Sequence, residues 1–384
     1  MSRNTQPLVR VVIAGGGTGG HVYPGVAIAE EVLRRNPDAA VSFIGTTRGM
    51  ESKILPKLGL DLDTITVSRL KGGGVWGRIK GLLRLPVGIW QSWRILRRRK
   101  PQVVIGVGGY ASGPALIAAW LTWRKTAIQE QNATPGLTNR WLGKVVKTVF
   151  LGFQAGASYF KPKKVVFTGN PVRQALAERL AGTVATDGAE ATLRVLVFGG
   201  SQGARFLNEQ VPAALVALQT AHPDLQLSVT HQTGATDEAI TRQRYVGTPL
   251  SDAATVTPFI HDMPTAYANA DVAVCRAGAL TVAEVTAVGL PALLVPFPFA
   301  ADNHQEANAQ VVVDAGAGWM VRQEDWDQNT VVAWLADLAR DRTKRGQMSD
   351  AARGIARLDA AQTIVDHLEG LAQRQTVASG RVAA

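Results

Sequence analysis

The chain has 384 residues, 46% of them hydrophobic and 18% charged, with a formal net charge of +11. This length exceeds what one hydrophobic core usually supports, and the composition excludes wholesale disorder, so two globular domains are expected. Cys275 is the one cysteine and cannot form an intrachain disulfide, and the spacing of Cys and His fits no zinc motif, which favours a reducing cytoplasm. Because the sequence has neither a secretory leader nor a run of about 20 apolar residues, we expect neither export nor a membrane span.

Short β runs alternate with helical patterns along the chain, and this alternation predicts doubly wound parallel sheets of the α/β class. The segment Gly169-Asn170-Pro171 follows one such run, and its glycine and proline indicate a domain boundary. We therefore predict two Rossmann-like domains, at residues 1–169 and 170–354. Helical spacing continues over about 355–372, and residues 373–384 are expected to form a disordered tail. The predicted strands are residues 9–14, 40–44, 62–67, 102–106, 126–129, 147–151, 165–168, 193–198, 226–230, 254–257, 271–274 and 292–295.

Two of these runs end in glycine-rich loops, Gly15-Gly16-Gly17-Thr18-Gly19-Gly20-His21 and Gly199-Gly200-Ser201-Gln202-Gly203. Glycines let the backbone turn with positive φ and let a ligand approach the N–H groups of a helix N-terminus. Neither loop has the Gly-Lys-Ser/Thr ending of a P-loop, and the second strand ends in Phe43-Ile44-Gly45-Thr46 without the acidic residue that binds a dinucleotide ribose. The loops therefore predict a diphosphate on one side of a shared cleft and a second substrate on the other.

Positive charge is concentrated in one part of the chain. Residues 64–177 carry 19 basic and 1 acidic side chains, whereas residues 178–384 carry 15 and 23. Within the basic part, residues 75–100 combine an apolar helical stripe with arginine and lysine, which is typical of an interfacial anchor on anionic membranes. The end of the stripe could instead pack on a sheet, and Pro86 could divide the helix into two. The sequence contains no recognised nucleic-acid-binding motif that would support a nucleic-acid partner. The stripe consists of Trp76, Ile79, Leu83, Val87, Trp90 and Trp93.

Seven strings within residues 9–309 carry a more specific signal. They are Gly16-Gly17-Thr18-Gly19-Gly20-His21, Gly108-Gly109-Tyr110-Ala111-Ser112-Gly113-Pro114, Glu130-Gln131-Asn132, Gly169-Asn170-Pro171-Val172-Arg173, Gly199-Gly200-Ser201-Gln202-Gly203-Ala204, Arg276-Ala277-Gly278-Ala279-Leu280-Thr281-Val282-Ala283-Glu284 and Pro296-Phe297-Pro298-Phe299-Ala300-Ala301-Asp302-Asn303-His304-Gln305. In this order they resemble the MurG family of bacterial peptidoglycan transferases. The resemblance implies a GT-B fold of two Rossmann-like domains facing a deep cleft. It implies inverting transfer of GlcNAc from UDP-GlcNAc to undecaprenyl-pyrophosphoryl-MurNAc-pentapeptide (lipid I), which gives lipid II for the cell wall.

The same resemblance implies where the substrates bind. An acceptor diphosphate would meet Tyr110 and Ser112, and a membrane patch would include Trp120 as well as the stripe. The helix near 355–372 would pack back on the N-terminal domain. The enzyme would be peripheral on the cytoplasmic face of the inner membrane, with other cell-wall synthesis proteins as compatible partners. The donor UDP-GlcNAc would meet Thr18, Gly19, Gly20, Asn132, Arg173, Ser201, Ile260, Ala279, Leu280, Thr281, Val282, Ala283, Glu284 and Gln305.

Inverting transfer needs a base that takes the proton of the acceptor hydroxyl, and two residues are candidates. His21 follows the first glycine loop, although a histidine there also serves as a structural hydrogen-bonding residue. Glu130 is the one carboxylate between residues 64 and 177. No cofactor is required if a helix dipole and an arginine stabilise the leaving UDP; a divalent cation is compatible, but no protein metal site is predicted.

Other functions of the same fold stay open. A UDP-GlcNAc 2-epimerase would need no membrane stripe, and a glycolipid synthase would use a different lipid acceptor. A sugar-nucleotide-binding protein without catalysis is disfavoured by the complete set of strings.

Overall fold

The computed structural model describes residues 7–67, 74–172, 176 and 192–380, with backbone alone at 74–83, 301 and 374–380. The chain divides into two compact units. The N-terminal unit comprises Met1–Gln174 and Arg357–Ala384, and the C-terminal unit comprises Ala175–Ala356.

The N-terminal unit contains a seven-stranded parallel sheet in the order β3-β2-β1-β4-β5-β6-β7. Its strands are β1 (Arg10–Ala14), β2 (Ala40–Gly45), β3 (Asp61–Thr64), β4 (Val103–Gly106), β5 (Lys125–Glu130), β6 (Thr148–Leu151) and β7 (Val165–Phe167). Its helices before the junction are α1 (Gly19–Arg35), α2 (Glu51–Ile54), α3 (Gly74–Arg99), α4 (Ser112–Leu121) and α5 (Leu137–Val145), with 3-10 turns at Pro56–Leu58, Gln154–Tyr159 and Pro162–Lys164. Both faces of the sheet are covered, as the continuous apolar runs of parallel strands require.

The C-terminal unit contains a six-stranded parallel sheet in the order β10-β9-β8-β11-β12-β13. Its strands are β8 (Thr192–Phe198), β9 (Gln226–Gln232), β10 (Ala254–Thr257), β11 (Val272–Cys275), β12 (Ala292–Leu294) and β13 (Gly318–Met320). Its helices are α6 (Arg205–Ala221), α7 (Glu238–Gln243), α8 (Met263–Ala268), α9 (Ala279–Val288), α10 (His304–Asp314), α11 (Gln328–Arg340) and α12 (Arg342–Ile355), with a 3-10 turn at Ala301–Asn303.

Each sheet reverses its strand order at one point, between β1 and β4 in the first unit and between β8 and β11 in the second. In open parallel sheets, ligands bind outside the carboxyl ends of the strands at such a switch point. The two glycine-rich loops follow β1 and β8, so each loop lies at the switch point of its own sheet.

The predicted fold class is confirmed, and each of the twelve predicted strands is present, with ends shifted by three residues at most. The sequence analysis missed β13, because three residues beginning with a glycine carry too little pattern to stand out. Helix α3 continues through Pro86 instead of dividing there. Pro86 removes one backbone hydrogen-bond donor from the helix. The helix is nevertheless continuous because it packs against helix α4, where Gly88 leaves room for Pro114.

The last helix, α13 (Ala360–Gly380), belongs to the N-terminal unit and extends past residue 373, where a disordered tail was expected. Its buried face, with Ile364 and Leu368, joins the same apolar cluster as helix α1. Arg35 on helix α1 connects the two helices, since it contacts Asp366 and Glu369 on helix α13.

Candidate active site

The loop after β1 lies directly against the loop after β4. Gly16 and Gly17 have φ values of +144° and +96°, and Gly16 N donates to Gly108 O at 3.3 Å. A Cβ on Gly109 would lie 2.0 Å from Gly16 O. The glycines are therefore needed here because two backbones approach within contact distance at the switch point.

His21 lies in the first turn of helix α1, half-buried, with its Nδ1 atom 3.3 Å from Gln131 Oε1. The Gln131 amide is oriented by its own bonds, because Nε2 donates to Val107 O at 2.9 Å and to Gln129 Oε1. Since Gln131 presents its oxygen to Nδ1, the imidazole proton lies on Nδ1 and the lone pair on Nε2. In this tautomer Nε2 is the ring nitrogen that can take up a proton.

Glu130 is only 2% exposed at the end of β5. One carboxylate oxygen accepts from Asn132 N at 3.0 Å and Asn132 Nδ2 at 3.2 Å, and the other accepts from Gly136 N at 3.1 Å and Asn139 Nδ2 at 2.8 Å. With four donors around it, the carboxylate holds the segment that follows β5 in place. Glu130 and Asn132 therefore belong to a hydrogen-bond network that holds this loop in place. The other candidate base, His21, has an imidazole that is oriented by Gln131.

The glycine-rich string Gly108–Pro114, which follows β4, places the side chains of Tyr110 and Ser112 in different surroundings. Tyr110 is 43% exposed, and its ring lies 4.0 Å from the position of a Cβ on Gly17. Ser112 is fully buried, and its Oγ lies 2.6 Å from Ala14 O and 2.8 Å from Gly108 O. The Ser112 hydroxyl thus ties the turn to β1 instead of facing a ligand.

At the start of helix α1, Thr18 is exposed and makes no side-chain cap. Its carbonyl accepts from His21 N and Val22 N, both at 3.1 Å. Gly19 and Gly20 are the first two helical residues, and a helix cannot satisfy the N–H groups of these positions internally. These amides can therefore donate to an anion.

In the C-terminal unit, the loop after β8 differs from the prediction. Helix α6 begins at Arg205, and Gly203 N donates to Gly200 O at 2.9 Å, so the Gly203 amide closes a turn and is not presented to a phosphate. The side chains of Ser201 and Gln202 are exposed. A Cβ on Gly203 would lie 1.7 Å from Thr233 O, which shows how closely this loop packs against the loop after β9.

Helix α9 begins at the switch point of the second sheet with no acidic residue in its first turn. The side chains of Ala279 and Val282 are buried, whereas those of Leu280, Thr281 and Ala283 are half-buried, so ligand contacts from the start of the helix would come mainly from backbone N–H groups. Glu284 is half-buried, and its Oε2 accepts from Tyr267 OH at 2.9 Å.

The other predicted donor residues lie at the same edge of the second sheet. Ile260 follows β10 and is half-buried. Gln305 is the second residue of helix α10, and its Oε1 accepts from Phe297 N at 3.0 Å. Arg276 was not singled out as a site residue, yet it is 9% exposed and donates to Val295 O at 3.0 Å and Pro296 O at 3.1 Å. Burial lowers the pKa of its guanidinium to about 10. Arg276 and Gln305 together fix the turn after β12.

Sequence reasoning also passed over Gln131, Tyr267 and Glu51 as individual residues. Gln131 lay inside a recognised string, but only the structure shows that its amide faces His21. Tyr267 is 17 residues from Glu284 along the chain, so no local spacing connects them.

Arg173 lies outside the described residues. Within the described ranges, no group of three or more His, Cys, Asp or Glu is arranged to hold a metal ion.

The stripe of helix α3 is only partly exposed. Val87 and Trp90 are 45% and 54% exposed, and Trp120 on helix α4 is 49% exposed. Trp93 is half-buried and packs against the core under Arg97, as the alternative in which the end of the stripe packs inward expects. The side chains of Trp76, Ile79 and Leu83 lie outside the described part of the chain.

An apolar groove of about 670 Å³ is lined by residues of helices α3 and α4 and the residue after α4. Trp123 and Trp141 are 91% and 63% exposed and were not part of the predicted patch. Among the described helices, none is both long and apolar enough to cross a bilayer. The groove is lined by Leu85, Pro86, Ile89, Trp90, Trp93, Ala118, Leu121 and Thr122.

Two parallel sheets with glycine loops at their switch points have the architecture of the GT-B fold. Two family models match the chain: the glycosyltransferase family 28 N-terminal domain over residues 11–151 and the glycosyltransferase family 28 C-terminal domain over residues 194–366.

Similar proteins narrow this class further. A UDP-N-acetylglucosamine--N-acetylmuramyl-(pentapeptide) pyrophosphoryl-undecaprenol N-acetylglucosamine transferase of Anaeromyxobacter dehalogenans (strain 2CP-C) is 46% identical over 367 residues, which cover 96% of this chain and 94% of that protein. The crystal structure of Acinetobacter baumannii MurG matches with a TM-score of 0.76 and 32% identity, covering 94% of this chain and 99% of that chain. The chain belongs to the MurG family of glycosyltransferases.

A UDP-GlcNAc 2-epimerase from Neisseria meningitidis, solved with UDP-GlcNAc bound, matches with a TM-score of 0.66 but only 14% identity, covering 93% of this chain and 99% of that chain. At that identity the likeness extends to the fold alone.

Proposed function

We infer that this chain transfers GlcNAc from UDP-GlcNAc to undecaprenyl-pyrophosphoryl-MurNAc-pentapeptide (lipid I), forming lipid II for peptidoglycan synthesis. The observation that carries this inference is the 46% identity over 96% of the chain to a transferase of that name. The oriented imidazole at the switch point of the first sheet supplies the chemistry that such a transfer needs.

His21 is proposed as the general base. Its Nε2 atom takes the proton of the acceptor hydroxyl while that oxygen forms a bond to the anomeric carbon, and the bond from this carbon to the UDP oxygen breaks with its electron pair leaving on UDP. Gln131 keeps the proton on Nδ1 before the reaction and stabilises the imidazolium that forms. Glu130 is proposed to brace the neighbouring loop, since four donors already surround its carboxylate.

The leaving UDP is proposed to bind the C-terminal unit. The first turn of helix α9 offers backbone N–H groups and a positive dipole end to the diphosphate, and the exposed Ser201 lies in the loop after the neighbouring strand β8. Glu284, held by Tyr267, would accept hydrogen bonds from the ribose hydroxyls. With these groups in place, we propose that transfer needs no metal cofactor. Ile260 is proposed to contact uracil, and Gln305 the sugar.

The function is tested by incubating the protein and labelled UDP-GlcNAc with a lipid I analogue in detergent or vesicles. We expect label in a β-1,4-linked disaccharide lipid and none released when UDP-GlcNAc is given alone. A lipid-free acceptor and an added metal chelator are the controls. Release of free N-acetylmannosamine or UDP-ManNAc from the donor alone would instead favour an epimerase, and absence of transfer in every membrane-like condition would overturn the assignment.

We propose that the N-terminal unit binds the cytoplasmic face of the inner membrane peripherally. Exposed tryptophans favour the headgroup region, and cations favour anionic lipids. Trp90 and Trp141 each lie under a cation, with Arg94 5.0 Å and Lys144 4.1 Å from the respective ring centroids. Exposed tryptophans and basic side chains therefore occur next to each other on the N-terminal unit.

A double substitution tests this surface. Trp90→Glu with Trp120→Glu is expected to lower binding to anionic vesicles at least tenfold in a sedimentation assay, because two interfacial indoles are replaced by charges that the lipids repel. The affinity for UDP should stay within twofold. The matched control is Ile240→Glu, which places a charge on a side chain that is 60% exposed in the C-terminal unit. Equal vesicle binding by the double variant and the wild type would contradict the proposal.

A further inference from the structure

Glu51 is a carboxylate buried beneath the N-terminal glycine loop, and the proposed transfer assigns it no role. It is the first residue of helix α2 and is 1% exposed. Its Oε2 accepts from Gly17 N at 2.6 Å, and its Oε1 accepts from Thr46 N at 2.8 Å and Thr46 Oγ1 at 2.7 Å. The carboxylate thus joins the loop after β1 to the loop after β2.

Three glycines make room for this carboxylate. A Cβ on Gly16 would lie 2.3 Å from Glu51 Cδ, a Cβ on Gly45 would lie 2.6 Å from its Cγ, and a Cβ on Gly49 would lie 2.0 Å from its Oε2. Two of these glycines have ordinary backbone angles, since only Gly16 has positive φ. The absence of a side chain at Gly45 and Gly49 is therefore explained by the space that Glu51 occupies.

The Gly17 amide is one of the groups that a glycine loop would offer to a phosphate. Successive N–H groups in such a turn form a concave anion site. Here that amide already donates to an internal anion in a short, charge-assisted hydrogen bond. A diphosphate that approached the same amide would have to displace a buried negative charge and would be repelled by it.

We propose that Glu51 is an internal anion that fills the cradle of the N-terminal glycine loop and thereby positions His21 for the acceptor. The loop lies between the carboxylate on one side and Gly108 and Gly109 on the other, and His21 N donates to Thr18 O at its end. A Cβ on Gly108 would lie 2.6 Å from His21 Nδ1, so a shift of the loop would move the imidazole against that backbone. Glu51 is a positioning residue, and this role rests on the proposed function.

Glu51→Gln tests the role with little change of volume. Both carboxylate oxygens accept from a backbone N–H, so either orientation of the glutamine amide sets its NH₂ against a donor. We expect kcat/KM for the lipid acceptor to fall about 10- to 100-fold, because small misplacement of a catalytic group has effects of that size. The Kd for UDP should stay within twofold. The His21 imidazole NMR signals, assigned with His21→Ala, should shift in the protein without substrate.

Gly49→Ala provides a second variant, in case Glu51→Gln does not fold. Its Cβ would displace the carboxylate without removing the charge, so it should shift the same His21 signals and lower the same rate. The matched controls are Gly370→Ala, whose Cβ meets nothing within 4 Å, and Glu31→Gln, a carboxylate of the same unit that is 5% exposed and held by arginines. Neither should affect the His21 signals or the KM of the acceptor.

The outcomes separate this role from the proposed function. Folded Glu51→Gln and Gly49→Ala proteins with acceptor kcat/KM within twofold of wild type and unshifted His21 signals would overturn the proposal. If the wild type fails to transfer GlcNAc to a lipid acceptor, the proposed function fails, whereas the His21 signals still report whether Glu51 positions the loop.

Discussion

Replacing His21 with alanine is expected to lower kcat for GlcNAc transfer by about 10²–10⁴, the usual contribution of a general base. The affinity for UDP should change little, because UDP is proposed to bind the C-terminal unit. Steady-state kinetics with a lipid I analogue at saturating UDP-GlcNAc would measure kcat.

Two further substitutions distinguish the base from its surroundings. Gln131→Leu should lower kcat about tenfold or more, because without the amide oxygen the imidazole proton can lie on either nitrogen. Glu130→Gln should lower the melting temperature, because its amide would oppose some of the four donors around it. A His21→Ala enzyme with near-normal turnover would contradict the assignment of His21.

The strands and loops of this protein were predictable because each has a recognisable local sequence pattern. The buried parallel strands are continuous apolar runs, and the loops at both switch points require glycines that stand out in sequence. Strand β13, at one edge of the second sheet, is three residues long and has no such pattern. Local pattern thus predicted the fold class and the sheet edges at which the candidate site lies.

The direction of individual side chains was not predictable, because it depends on contacts between residues far apart in the chain. Ser112 and Val282 lie in motifs that were predicted to bind substrates, yet both side chains are buried. Gly203 lies in the loop that was predicted to bind the donor, but its amide closes a turn. Glu51 is 34 residues from the amide that it binds, so no spacing rule identifies it.

Acid is expected to destabilise the C-terminal unit through His231, a fully buried residue of β9. Its Nδ1 lies 3.0 Å from Tyr245 OH, and its Nε2 lies 3.1 Å from Asn208 Oδ1. Asn208 Nδ2 donates to Thr233 O at 2.9 Å and to Asp237 Oδ2 at 3.0 Å, so its oxygen accepts from the imidazole. The folded protein therefore holds His231 neutral between one acceptor and one donor.

Burial lowers the pKa of His231 to about 3, whereas an unfolded histidine titrates near 6.5. Above pH 6.5 neither state binds the proton, and between pH 6.5 and about 3 only the unfolded state does. The free energy of unfolding should thus fall by about 1.4 kcal/mol per pH unit in this window, or roughly 3 kcal/mol at pH 4.5, out of a typical total of about 5–15 kcal/mol.

His231→Gln is the matched variant, because glutamine can donate to Asn208 and accept from Tyr245 but does not titrate. Urea unfolding, followed by tryptophan fluorescence, to which Trp319, Trp326 and Trp334 contribute from the same core, would give the free energy at pH 7.5 and pH 4.5. The wild type should lose roughly 3 kcal/mol more than the variant over this interval, since the acidic groups common to both proteins cancel in the comparison. Equal losses in the two proteins would show that His231 takes up its proton in the folded state, and that burial does not hold it neutral.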